Sequence, residues 1–149
     1  MNILKVGDKV PDFSAVDQHG SKINFLDFTG KKIIIFFYPR ANTPGCTAQA
    51  CDLRDHYGEL SNAGYSLLGV SADSVKHQLS FSNKFDFPFS LLADEDHSII
   101  NIFGVWGPKK FRGKDYEGIN RMTFIINEKG IVERVIDKVV TKYHASQIL

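Results

Sequence analysis

An α/β architecture, with a central sheet of five or more strands and helices on both faces, is what these 149 residues predict. Three features predict it. The run KKIIIFFY at 31–38 is β-branched and aromatic beyond its lysines, as a strand buried on both faces of a parallel or mixed sheet must be. YSLLGVSA at 65–72 has the same character. Between them Cys46, Ala50, Leu53, Tyr57 and Leu60 recur at helical spacing, and Gly64 offers a stop, so strand, helix and strand make a βαβ unit.

The remaining elements follow in chain order. DFSAV (12–16) and KINF (22–25), joined by DQHG, read as an extra N-terminal β-hairpin. After the βαβ unit a second helix is predicted at about 74–84, then a strand at FSLLAD (89–94) and a short helix from His97 to Phe103. Asp94 to Asp96 precede that helix and are read as its cap and dipole partners. RMTFIIN (121–127) and IVERVID (131–137), joined by EKG, read as a second hairpin. The closing TKYHASQIL looks like the opening of a helix, with Thr141 as cap and Tyr143, Ile148 and Leu149 as its apolar face. Roughly two turns is short for a terminal helix, which leaves room for a missing tail.

Composition bounds the rest. The length predicts one domain over residues 1–149, and 43% hydrophobic with 23% charged residues is ordinary for a globular protein. The net charge is +1 and charges are scattered, so neither nucleic acid nor an anionic membrane is an expected partner. MNILKVGDKVPDF holds no signal-peptide core, and the longest apolar run, IIIFFY, is too short to span a bilayer. The expectation is a cytoplasmic, reducing environment. There a structural disulfide is disfavoured, and two close cysteines read as metal-binding, catalytic or coincidental.

The only two cysteines stand five positions apart in PRANTPGCTAQAC (39–51). Thr43 suits an N-cap, Pro44 the first helical position, and Gly45 adds no bulk. Cys46 therefore falls in the first turn of a helix, just past the end of a buried strand. Helix-start N–H groups are unpaired there, and the macrodipole favours an anion such as a thiolate. The carboxyl end of a central strand is also where open α/β sheets place their chemistry. At about 100° per residue, Cys51 lies about 140° from Cys46, and the two Cα atoms of an intact helix stand roughly 8–9 Å apart. A disulfide needs less than about 7 Å, so the thiols can pair only if the first turns unwind.

Blander readings compete with this one. A lone buried cysteine is usually a small core residue. A metal site is disfavoured by the C-x4-C spacing and by histidines dispersed at 19, 56, 77, 97 and 144. The stretch GPKKFRGKD (107–115) imitates a phosphate loop but has one residue too many between its glycines and Asp115 after its lysine. It is read as a basic loop near the site.

Taken together, FFYPRANTPGCTAQACDLRD (36–55) resembles the active site of the peroxiredoxins, specifically the bacterioferritin comigratory protein (PrxQ) subfamily. The peroxiredoxin pattern P-x3-T-x2-C is met by Pro39, Thr43 and Cys46, and the subfamily's second cysteine by Cys51. DEDH (94–97), FGVWG (103–107) and GINRMTFIIN (118–127) match as well, and Arg121 falls where the family has its active-site arginine. The resemblance runs from about Gly7 to the end.

It implies a thioredoxin-like fold in its peroxiredoxin variant, and an atypical two-cysteine thiol peroxidase acting on hydrogen peroxide or organic hydroperoxides. Cys46 would be the peroxidatic nucleophile and Cys51 the resolving cysteine that closes an intramolecular disulfide. Arg121 would stabilise the thiolate and polarise the peroxide; a surface arginine is the alternative. Thr43 has two candidate duties, helix cap and a hydroxyl that orients the peroxide. Pro39 would shape the pocket or be a plain turn proline, and Tyr38 would be pocket wall or core. Thioredoxin or a similar dithiol is the implied reductant, the chain is expected to be a monomer, and no metal, haem, flavin or nicotinamide is implied. A non-enzymatic redox switch built on the same cysteines is the rival reading, and turnover with a dithiol donor separates the two.

Overall fold

A computed structural model describes residues 2–149. β1 (Ser14–Val16) and β2 (Lys22–Asn24) pair antiparallel, as the N-terminal hairpin reading requires. The Asp17 carboxylate shapes their turn by accepting the N–H groups of His19 and Ser21. β3 (Lys32–Phe37), α1 (Pro44–Asp55), α2 (Tyr57–Asn62) and β4 (Tyr65–Ser71) then form the βαβ unit, with β3 and β4 parallel.

The expected single helix between those strands is divided at His56, whose φ and ψ are −108° and 13°. The Asp52 carbonyl meets both the His56 N–H at 3.2 Å and the imidazole Nδ1 at 2.8 Å. A side chain competing for a ladder carbonyl is a recognised cause of helix kinks. The apolar stripe continues across the break, with Ala50, Leu53 and Leu60 all buried.

α3 (Val75–Phe85) begins at Ser74, whose hydroxyl accepts the His77 N–H. β5 (Ser90–Ala93) and α4 (Ser98–Phe103) stand close to their expected positions. Asp94 accepts the N–H groups of Ile99 and Ile100, as a dipole partner of α4 should.

The stretch read as a basic loop is instead a hairpin, β6 (Trp106–Phe111) and β7 (Lys114–Ile119), paired apart from the main sheet. Arg112 and Gly113 turn it with φ of 50° and 77°. Two positive φ values in a two-residue loop match the strand twist, but arginine at the first is not a residue that advertises such a turn. β8 (Met122–Ile126) and β9 (Val132–Ile136) form the second expected hairpin.

The C-terminal stretch departs from expectation in detail. A 3-10 turn at Thr141–Tyr143 leads into α5 (His144–Ile148), and Thr141 makes no side-chain cap. Tyr143 and Leu149 are exposed, while His144, Ala145 and Ile148 are buried. The Ala145 N–H is drawn to Asp52 of α1, which turns that face inward.

The main sheet has the order β2-β1-β5-β4-β3-β8-β9, with β3, β4 and β5 parallel and the flanking pairs antiparallel. β3 lies in the middle of the core and is covered on both faces. Ile33, Ile35 and Phe37 pack with α4, whereas Ile34, Phe36 and Tyr38 pack with α1, α2, α3 and α5. This is the mixed sheet flanked by helices that the sequence predicts. Among the described residues, no helix is long and apolar enough to cross a membrane.

Candidate active site

β3 delivers the chain to the start of α1 through residues 38–43. Tyr38 is buried among Phe36 and Phe81, so it belongs to the core rather than to an exposed wall. Burial pushes its phenol well above the usual range. Pro39 is half-buried at the first bend after the strand. Asn42 takes a left-handed φ of 64°.

Thr43 occupies the cap position in extended conformation, and its carbonyl accepts the Thr47 N–H at 2.8 Å. Its hydroxyl makes no capping bond and donates instead to the Arg40 carbonyl at 2.8 Å. The hydroxyl's lone pairs are therefore not engaged by the helix. Pro44 fills the first helical position, as expected.

Cys46 sits in the first turn of α1 with a relative exposure of 1%. Arg121, just ahead of β8, reaches it: Nη2 lies 3.3 Å from Sγ. β8 pairs antiparallel with β3, with Met122 opposite Phe37, so the residue before Met122 arrives at the carboxyl end of β3 where α1 begins. Gly45 makes room, since a Cβ there would stand 3.2 Å from Arg121 Nη2.

The other guanidinium nitrogen, Nη1, donates to Gln49 Oε1 at 2.6 Å. Gln49 is fully buried, and its Nε2 has no hydrogen-bond partner among the described residues. Sequence reading passed over it. The available signal was an amide on the same face as Cys46, Ala50 and Leu53, where an apolar residue belongs.

A second cation stands near. Lys109 of β6 donates to the Ile119 carbonyl at 2.8 Å. Its ammonium is held below the ordinary lysine range by burial first and by the charge of Arg121 second, with Cys46 pulling the other way. Lys109 thus bonds within its own hairpin, to the last residue of β7, two positions before Arg121.

Cys51 is half-buried on the same helix, and burial pushes its thiol up, partly offset by Arg54. Both thiols are free and α1 is unbroken between them. The structure therefore brings Cys46 and Arg121 into contact, holds Pro39 and Thr43 on the approach, and keeps Cys51 apart.

The chain matches the AhpC/TSA family over residues 6–135. It belongs to that family. Within it, the chain is 47% identical to the peroxiredoxin Bcp of Escherichia coli K12, over 100% of this chain and 96% of that protein. The crystal structure of the peroxidoxin BcpB of Mycobacterium tuberculosis superposes with a TM-score of 0.85 at 34% identity, covering 97% of this chain and 93% of that one. A trapped intermediate/ligand complex of the Xanthomonas campestris bacterioferritin comigratory protein, studied for alkyl peroxide reduction, gives 0.88 at 32% identity over 99% and 94%. This AhpC/TSA member is thus a peroxiredoxin of the Bcp/PrxQ kind, with the thioredoxin-like fold of its neighbours. It is an oxidoreductase, and its activity is a thiol-dependent peroxidase activity.

Proposed function

We propose that this peroxidase reduces hydrogen peroxide and organic hydroperoxides through a cycle between Cys46 and Cys51, with thioredoxin or a similar dithiol as reductant. The observation that carries the proposal is the Arg121 guanidinium 3.3 Å from Cys46 Sγ at the start of α1. A thiolate there faces a fixed cation and the positive end of a helix together. The alkyl peroxide reduction activity of the X. campestris relative supports organic hydroperoxides as substrates.

The Cys46 thiolate attacks one peroxide oxygen. The S–O bond forms as the O–O bond breaks, and the departing oxygen takes a proton and leaves as water or alcohol. Arg121 stabilises charge on the sulfur before the transfer and on the leaving oxygen during it. Gln49 keeps the guanidinium turned to the site by accepting from Nη1. The Thr43 hydroxyl, unused by the helix, orients the peroxide, and Pro39 shields the thiolate from water. Cys46 is then a sulfenic acid.

The first turns of α1 next unwind. The Cys51 thiolate attacks Cys46, the S–S bond forms, the S–O bond breaks and water leaves. An external dithiol reduces the disulfide by exchange and the helix re-forms. We place this cycle in a cytoplasmic, monomeric protein of one domain, acting without nucleic-acid or membrane partners.

Mass spectrometry of the reduced protein after one equivalent of hydrogen peroxide, beside Cys51→Ser, tests the roles. The parent is expected to lose two hydrogens through a Cys46–Cys51 bond, while the variant holds a trappable oxygen on Cys46. Turnover with thioredoxin and its reductase tests the recycling. If neither thiol reacts faster than free cysteine, the proposal fails.

A further inference from the structure

The segment that presents Cys46 is fixed from outside α1. The Ala41 N–H, two residues before the cap, donates to Asp73 Oδ2 at 2.7 Å. The same oxygen accepts the Ser71 hydroxyl at 2.6 Å. Gln78 of α3 donates from Nε2 to Ser71 Oγ and to the Leu92 carbonyl, both at 2.9 Å. Its Oε1 accepts the Tyr38 hydroxyl at 2.5 Å. The chain of bonds therefore leaves the core at Tyr38, runs through α3 and the end of β4, and returns to the backbone at Ala41.

Tyr38, Ser71 and Gln78 are each at most 1% exposed, and Asp73 is half-buried. Buried networks with every member satisfied are rigid, and a carboxylate accepting a backbone N–H is among the stronger neutral-to-ion bonds. The network ends at Ala41. Asn42 follows with its left-handed φ of 64° and accepts from exposed Lys84 at 3.4 Å, while Thr43 donates its hydroxyl to the Arg40 carbonyl and gives its own carbonyl to the Thr47 N–H of α1. The hydrogen bonds that hold Tyr38 and Ala41 run to β4, Asp73 and α3 rather than to α1, although both residues pack against the apolar face of α1.

We propose that Asp73 is a positioning residue of the peroxidase reaction: through the Ala41 N–H it holds residues 39–43 in the shape that sets Thr43 and Cys46 against the incoming peroxide. It also marks where unwinding stops, because the anchored part ends at Ala41 and the helix begins only at Pro44. Asp73 then serves peroxide attack and not disulfide closure, which takes place after α1 has let go. The proposal rests on the role of Cys46 given above.

The two steps are read separately by rapid quench and mass spectrometry. Sulfenic acid formation is followed in a Cys51→Ser background, and disulfide formation in the parent background. Asp73→Ala is expected to slow sulfenic acid formation about tenfold, the scale on which small misplacements act. Disulfide closure from the sulfenic acid is expected at the parent rate or faster. Asp73→Asn keeps an acceptor oxygen for the Ala41 N–H and is expected to restore the attack rate to within about threefold of the parent. Thermal melts of each variant accompany the rates. The inference is overturned if Asp73→Ala attacks peroxide at the parent rate. It is equally overturned if both steps fall together with the melting temperature, or if Asp73→Asn fails to rescue. A parent protein that forms no sulfenic acid at Cys46 would instead overturn the proposed function.

Discussion

Asp52, the residue after Cys51, accepts the backbone N–H of Ala145 at 2.8 Å. The helix that opens on the proposed cycle, so that Cys51 can reach Cys46, is thus tied to the C-terminal segment. Asp52→Ala should remove that tie. Loss of a charged acceptor for a part-buried N–H is expected to cost about 1–3 kcal/mol in a denaturant titration. The same change should raise the rate of disulfide closure several-fold relative to peroxide attack, read by quenched mass spectrometry. An unchanged closure rate would mean that the tie does not restrain α1.

Arg121 meets Cys46 and Gln49 with two different nitrogens of one plane. Lysine cannot reproduce that fork. Arg121→Lys is therefore expected to slow sulfenic acid formation by about 10²-fold, the scale of losing one positioned donor. Stopped-flow or competition kinetics at fixed pH measure it. A fall of less than about threefold would leave Arg121 with only its charge to contribute.

Thr43 separates two duties that sequence left open. A side-chain cap is worth about 1 kcal/mol, but this hydroxyl makes no capping bond. Thr43→Val should then change stability by less than about 0.5 kcal/mol, well under a lost cap. Peroxide attack should slow about tenfold or more if the hydroxyl orients the substrate. The reverse pattern, a clear stability loss with normal attack, would return Thr43 to capping.

His144 gives the fold a pH dependence. It is fully buried between the Thr123 hydroxyl at 2.7 Å and Gln147 Oε1 at 2.8 Å. Burial, the largest cause, holds its imidazole below the ordinary value of 6.5. The unfolded chain therefore binds a proton at a pH where the folded chain does not, and stability is lost as pH falls below 6.5. His56 acts oppositely, because its hydrogen bond to the Asp52 carbonyl raises it, but that ring is more than a third exposed and its effect is small. Urea titrations of the parent and His144→Gln at pH 7.5 and 5.5 should show a smaller loss on acidification in the variant. Equal losses would remove His144 from the account.

What sequence made legible was the part of the fold written in apolar pattern. The buried runs at 31–38 and 65–72, the stripe from Cys46 to Leu60 and the hairpin at 121–137 all stand where that pattern puts them. The β6–β7 hairpin escaped because its strands carry polar residues on both faces and turn at an arginine with positive φ. The break at His56 escaped because it comes from a ring meeting one carbonyl, not from a glycine or proline. At the site, the helix start fixes the place of Cys46 locally, and the resemblance supplied Arg121. The roles of Asp73, which left no signal, and of Gln49, marked only by an amide on an apolar face, were hidden for one shared reason. Each acts on a partner distant in the chain, Arg121 and Ala41, and only the assembled fold brings those pairs together.

The break at His56 bears on endurance. On the proposed cycle, every turnover melts part of α1 and builds it again. Were α1 and α2 one continuous rod, fraying at Pro44 would loosen the grip of Leu60 on the core as well. With the helix divided at His56, fraying on that cycle is expected to stop at the kink, leaving α2 seated in the core through Leu60. A catalyst that dismantles a piece of itself in every round wears out through the rounds in which it fails to rebuild. The kink keeps the piece small.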